Sequence, residues 1–165
     1  MKRDVLAEIE EIRKGKIRPV YFLAGNDYFL QDYFIRELAR ALGQKGSLER
    51  FVWVPDAGDS DALIRELNGV PMFVQPRLFI VYQPTRIRQK NREELVQYCR
   101  SPGPDTVTVL VTDVLDSRKK LIRQLADEFG VVNTSPPFPE KMGDFVHFLL
   151  RKSGLHATYT ILRTR

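Results

Sequence analysis

The chain has 165 residues, 43% of them hydrophobic and 28% charged, with a formal net charge of +5. That is the composition of a soluble globular protein, with room for one full domain and the start of a second. No apolar run approaches the roughly 18 to 20 residues that span a bilayer, so no membrane partner is expected.

The opening stretch, MKRDVLAEIEEIRKGK, is amphipathic and rich in Glu, unlike a secretory signal, and a cytoplasmic location is expected. Its Val5, Leu6, Ile9 and Ile12 share one side, which predicts a first helix over 3–14 ended by Gly15. RPVYFLAG reads as a buried strand over 20–24, entered through Pro19. Asn26 and Asp27 can cap a helix that carries Leu30, Tyr33, Phe34, Leu38 and Leu42 and closes at Gly43. RFVWVPD is a second strand, and Asp59 or Ser60 begins a helix with Leu63, Ile64 and Leu67. RLFIVYQ is a third strand, followed by a helix from about 90 to 100 and a PGPD turn.

TVTVLVT is nearly continuous in apolar and β-branched residues, as a central parallel strand should be. Asp116 and Ser117 are read as caps of a helix carrying Leu121, Ile122 and Leu125, and GVVNT as a fifth strand. The fold class expected is therefore α/β, a five-stranded parallel sheet with helices on both faces. The prolines of TSPPFPEK suit neither element type, so a linker is read over 134–139. Beyond it Met142, Phe145, Val146 and Leu149 form an amphipathic helix, the start of a second, helical domain. The domains are placed at 1–136 and 137–165.

Ligands of open α/β sheets bind at the carboxyl ends of the strands. A nucleotide site there needs a glycine-rich loop after the first strand, a Lys for the outer phosphates and a Ser or Thr for magnesium. AGNDYFLQD supplies one glycine and no lysine, with an acidic residue where phosphate would sit. The third strand ends in VYQPTR, so Gln83 stands where a metal-binding or phosphate-accepting carboxylate would be needed. Asp56 and Asp113 end the second and fourth strands, but carboxylates at helix starts are usually caps. His147 and His156 lack metal-ligand spacing. Cys99 is the only cysteine, which excludes an internal disulfide and a multi-cysteine zinc module. Lying four positions after Leu95, it reads as a small buried hydrophobe. Neither cofactor nor metal is expected, and no catalytic residues are assigned.

Two features remain. In LNGVPMFVQPRLFIVYQ, Met72 and Phe73 sit between Pro71 and Pro76, where large apolar side chains either plug the end of the core or point outward at a partner. The pattern leaves both open. Basic clusters at RIRQKNR (Arg86, Arg88, Lys90, Arg92) and SRKK (Arg118, Lys119, Lys120) could contact DNA or a partner, or be solvated faces.

With these elements in order, RPVYFLAGNDYFLQDYFIREL, LNGVPMFVQPRLFIV, VLVTDVLDSRKKLIRQL and FPEKMGDFVHFLLRKSGL resemble the delta subunit of the bacterial DNA polymerase III clamp loader. The likeness runs to about Leu155, and the tail HATYTILRTR does not match. It implies an AAA+-like first domain without a working nucleotide site, followed by a helical lid and a collar that are essentially missing here, so an N-terminal fragment is expected. It implies that two adjacent apolar residues before the third strand insert into the sliding clamp (the beta subunit) and open the ring. By position these are Met72 and Phe73, supported by Leu67 and Val70. It implies that ATP is bound by partner loader subunits, which with delta-prime are met through the missing domains, and that DNA is met through the assembled loader. Two other readings stand beside it. One is a DNA-binding module using residues 86–92; the other is a degenerate nucleotide-binding enzyme.

Overall fold

The structure is a computed structural model describing residues 1–55 and 59–152, and Asp56, His156 and the rest of the tail lie outside the described residues. In chain order the elements are β1 (Lys2–Asp4), α1 (Val5–Arg13), β2 (Val20–Ala24), α2 (Tyr28–Gly43), β3 (Glu49–Trp53) and α3 (Ser60–Asn68). Then come β4 (Arg77–Tyr82), a 3-10 turn (Pro84–Arg86), α4 (Gln89–Arg100), β5 (Thr106–Thr112), α5 (Lys120–Phe129), β6 (Val131–Asn133) and α6 (Pro139–Lys152). The strands form one sheet in the order β1-β6-β2-β5-β4-β3, and every pairing is parallel.

Strands β2 and β5 are buried along their whole length, which is why their sequences are continuous in apolar and β-branched residues instead of alternating. Side chains from alternate positions serve opposite faces of the sheet. Phe22, Phe79, Val81 and Leu110 pack with Leu63 and Leu67 of α3, Leu95 of α4 and Leu121 and Leu125 of α5. Across the sheet, the Tyr21 ring meets Phe34 of α2 edge-on at 5.1 Å between centroids, and Ile9 and Ile12 of α1 are fully buried.

Two expectations need correction. The sheet has six strands, not five: Lys2–Asp4 pairs with Val131–Asn133 and does not open the first helix. The cause is Asp4, whose carboxylate accepts hydrogen bonds from the N–H groups of Leu6 and Ala7 and so fixes the start of α1 at Val5. Asp116 and Ser117 likewise do not cap α5, which begins at Lys120. Instead the Asp116 carboxylate accepts from the N–H and the guanidinium of Arg118, closing a separate turn ahead of the helix.

The chain divides into two compact units, Met1–Ser135 and Pro136–Arg165. In the second, α6 runs to Lys152 and His147 is exposed. No described helix is long and apolar enough to cross a membrane.

Candidate partner-docking site

At the carboxyl end of the sheet, only Gly25, Asn26 and Asp27 separate β2 from α2. The backbone groups of Gly25 and Asp27 are used internally. The Gly25 N–H donates to the Thr112 carbonyl at 3.0 Å, and that of Asp27 to the Thr134 carbonyl at 3.0 Å. The Gly25 carbonyl accepts from Gln31 Nε2 at 2.6 Å and from Thr134 Oγ1 at 3.3 Å. The Asp27 side chain caps α2 by accepting from the Leu30 N–H, which puts a carboxylate at the helix N-terminus. A phosphate-binding loop needs free N–H groups facing outward and no negative charge among them. Here two of the turn's three N–H groups are bonded within the domain, and a carboxylate stands at the helix start. It is also crossed at close range: a Cβ on Gly25, whose φ is +142°, would lie 2.2 Å from the Ser135 nitrogen.

The opposite end of the sheet carries the loop 69–76, between α3 and β4. Val70, Met72, Phe73 and Val74 are 92%, 91%, 71% and 98% exposed. Four adjacent large apolar side chains in water are unusual where every flanking element has its apolar residues inside. Of the two readings left open by the pattern, the core plug is excluded for Met72 and Phe73. Leu67 is placed differently. At 2% exposure it belongs to the core at the end of α3, so any support it gives the loop comes from beneath and not from the exposed surface.

The loop is held at its base by a residue that the sequence reading passed over. Arg77 opens β4 and is buried. Its guanidinium donates to the Gly69 carbonyl at 3.2 Å, the Glu66 carbonyl at 3.3 Å and the Glu49 carboxylate at 3.1 Å. It also lies 4.7 Å from the Phe79 ring centroid. The Glu66 carbonyl belongs to the last turn of α3, the negative end of the helix dipole, where a cation is favourable. One charged side chain thus ties the end of α3, the start of the loop and two strands together. Between the loop and residues 101–106 lies a cleft of about 470 Å³ lined by Leu67, Phe73, Tyr98 and Arg77, so the loop stands off the body as a ledge. The available signal was an Arg placed directly before the apolar run LFIV; an edge-strand charge is ordinary, and so it drew no notice.

The basic clusters are mostly occupied within the domain. Arg92 donates to the Ile87 and Thr85 carbonyls at 2.9 and 2.6 Å and locks the turn before α4. Lys90 and Arg88 approach the Asp61 carboxylate at 3.2 and 3.9 Å. Arg118 is paired with Asp116, which holds the Asp116 carboxyl below the usual carboxylate range. Arg86, Lys119 and Lys120 are exposed. Four of the seven basic residues singled out are therefore committed to local structure, and no continuous phosphate-tracking row results.

At the strands' carboxyl ends, Tyr28 Oη donates to Asp113 Oδ2 at 3.2 Å, and the Asp113 charge raises the phenol's pKa. Gln83 adopts a left-handed conformation, φ 51°, at the end of β4, and Thr112 Oγ1 donates to its side-chain oxygen at 3.5 Å. Cys99 is buried in α4, and burial pushes its thiol up to about 12, which leaves it inert. Among the described residues no group of His, Cys, Asp and Glu could hold a metal ion.

No family model matches the chain. Its fold, a parallel sheet with helices on both faces, is shared with solved proteins. The structure aligns with a DNA polymerase III gamma subunit-related protein of Thermotoga maritima at a TM-score of 0.53 and 16% identity, over 90% of this chain and 52% of the other. It also aligns with a RuvB variant from Thermotoga maritima at a TM-score of 0.51 and 12% identity, over 91% of this chain and 49% of that one. At such identities these likenesses establish the fold alone.

The resemblance read from the sequence is met more specifically by two Bacillus subtilis proteins. The chain is similar to DNA polymerase III subunit delta, with 27% identity over 128 residues covering 70% of this chain and 37% of that protein. In structure it is similar to the DNA clamp loader delta protein, with a TM-score of 0.72 and 24% identity over 90% of this chain and 48% of the other. The chain thus spans about two fifths of the curated relative and about half of the solved one.

Proposed function

We propose that this chain is the clamp-gripping part of a clamp-loader delta subunit acting in DNA replication. The observation that carries this reading is the apolar loop 69–76, turned outward and fixed at its base by Arg77. The similarity to delta proteins supports the clamp-loader role. In this reading Met72 and Phe73 enter an apolar pocket on the sliding clamp while Val70 widens the contact. Burying each of the two leading side chains contributes roughly 1.5–3 kcal/mol, in an interface dominated by a few anchors. Pro71 and Pro76 restrict the loop before binding and so lower the cost of ordering it. The thioether of Met72 adapts to a pocket whose shape changes. Ring opening follows if the open clamp accepts the loop better than the closed one, since a ligand shifts an equilibrium only by its differential affinity.

The domain itself hydrolyses no ATP in this reading, in keeping with the sealed turn after β2. Residues 1–136 are the AAA+-like clamp-binding domain, and 137–165 begin a helical lid. Contacts with ATP-binding subunits and delta-prime fall to further domains, and DNA is met through the assembled loader in the cytoplasm. Direct DNA binding by residues 86–92 is less well supported, because Arg92, Lys90 and Arg88 are engaged within the domain.

The test is binding of this chain to the sliding clamp of its own organism by surface plasmon resonance, beside the Met72→Ala/Phe73→Ala double variant. Binding that weakens at least tenfold in the variant, about 1.4 kcal/mol, is expected. Equal binding by both would move the contact elsewhere on the domain.

A further inference from the structure

We infer that Met72 is an oxidation site, and that its conversion to the sulfoxide switches off docking by the loop 69–76; this rests on the docking reading above. Two observations carry it. The thiol of Cys99, the chain's single cysteine, is buried among apolar neighbours and held as the neutral, inert form. The chain's accessible sulfur therefore belongs to its methionines. Of these, Met1 is 88% exposed, Met72 91% and Met142 43%, and only Met72 lies on the loop 69–76. Met72 is flanked by Pro71 and Phe73 on the loop, where no described side chain covers it.

The chemistry needs only a two-electron peroxide. The thioether sulfur attacks one oxygen of hydrogen peroxide and the O–O bond breaks. The sulfur is oxidised to S=O, the peroxide is reduced, and its second oxygen leaves as water. A thiol-dependent sulfoxide reductase reverses the step: two thiols become a disulfide, and the oxygen departs as water. The sulfoxide keeps the length of the side chain but adds a strong dipole and a hydrogen-bond acceptor. Water satisfies that group in the free loop; an apolar pocket does not, so the modified loop is penalised only when it docks. The fold is spared, because Met72 contributes nothing to the core.

The experiment treats the chain alone with hydrogen peroxide, removes the peroxide with catalase, and then measures binding to the untreated clamp. Peptide mass spectrometry follows each methionine. Met72 is expected to oxidise ahead of Met142, binding is expected to weaken at least tenfold, and methionine sulfoxide reductases A and B together are expected to restore it. A Met72→Leu variant, which keeps an apolar side chain of similar size, is compared with its own untreated binding, and peroxide is expected to leave that binding unchanged. Full binding by a chain shown to carry the Met72 sulfoxide overturns the inference. So does an equal peroxide-induced loss in Met72→Leu, which would assign the effect to another methionine. If the untreated chain does not bind the clamp at all, the docking reading itself fails, and a binding switch fails with it.

Discussion

The two ends of the sheet are built on opposite principles. At the carboxyl end, the turn 25–27 faces the site where a nucleotide would bind, yet its polar backbone groups are turned inward and used by Gln31, Thr112 and Thr134. At the amino end, the loop 69–76 does the reverse and turns apolar side chains outward with nothing of its own to cover them. The first region spends the backbone groups of Gly25 and Asp27 within the domain. The second leaves its chemistry unsatisfied. Proteins break local rules of this kind at functional sites, and here the broken rule lies at the opposite end of the sheet from the turn 25–27.

The largest effect should come from breaking the sealed turn. Gly25→Ala adds a Cβ that meets the Thr134–Ser135 backbone, at a φ that L side chains rarely adopt. A loss of about 3 kcal/mol in urea unfolding is expected from strain and overpacking together. A loss under ~0.5 kcal/mol would mean that the turn is not closed by residues 134–135. Next comes the base of the open loop. Arg77→Leu removes the bonds to Gly69, Glu66 and Glu49 and should cost about 2 kcal/mol. It should also weaken the proposed clamp binding, although no residue assigned to that contact is changed.

The Met72→Ala/Phe73→Ala variant sharpens the contrast from the other side. Because both side chains are exposed, its stability should stay within about 0.5 kcal/mol of the parent while its binding is lost. A large drop in stability would return these residues to the core. The smallest effect concerns Asp61, whose carboxyl is held below its usual range by hydrogen bonds from Asn91 and Lys90. A lowered folded-state pKa contributes stability that is present above the unfolded value, about 3.9, and is lost as pH falls through the folded one. Asp61→Asn should therefore leave neutral stability slightly reduced and make its decline in acid shallower. The readout is the urea midpoint measured from pH 6 down to pH 3.

Much of this architecture was legible. Runs such as VYFLA, LFIVY and TVTVLVT can only be buried strands, and helical spacing named Leu63, Leu95 and Leu121 as inner residues before any packing was known. Strand β1 was not legible, because Lys2, Arg3 and Asp4 are polar. Their strand geometry comes from the partner backbone at Val131–Asn133, a long-range choice that no local pattern reveals. The start of α5 was misread because an Asp–Ser pair can close a turn as readily as cap a helix. The orientation of Met72 and Phe73 could not be read, since a segment bracketed by prolines has no periodicity to say which side faces in. Arg77 was missed for a related reason: its value lies in three partners brought together only by the fold.

The pairing of β1 with β6 also sets a schedule. Residues 2–4 are synthesised well before their partners at 131–133, and β2 in the middle of the sheet must wait for Thr106–Thr112. At about 5–20 residues per second, the outermost strand waits roughly 6–26 seconds for its place. Until Thr106–Thr112 is made, the apolar strands β2 and β4 lack their shared neighbour β5, and the loop 69–76 adds to the uncovered surface. Selection on this chain therefore acts on an unfinished molecule as well as a finished one, and a slow-folding variant could be lost to aggregation before its grip on any partner was ever tested.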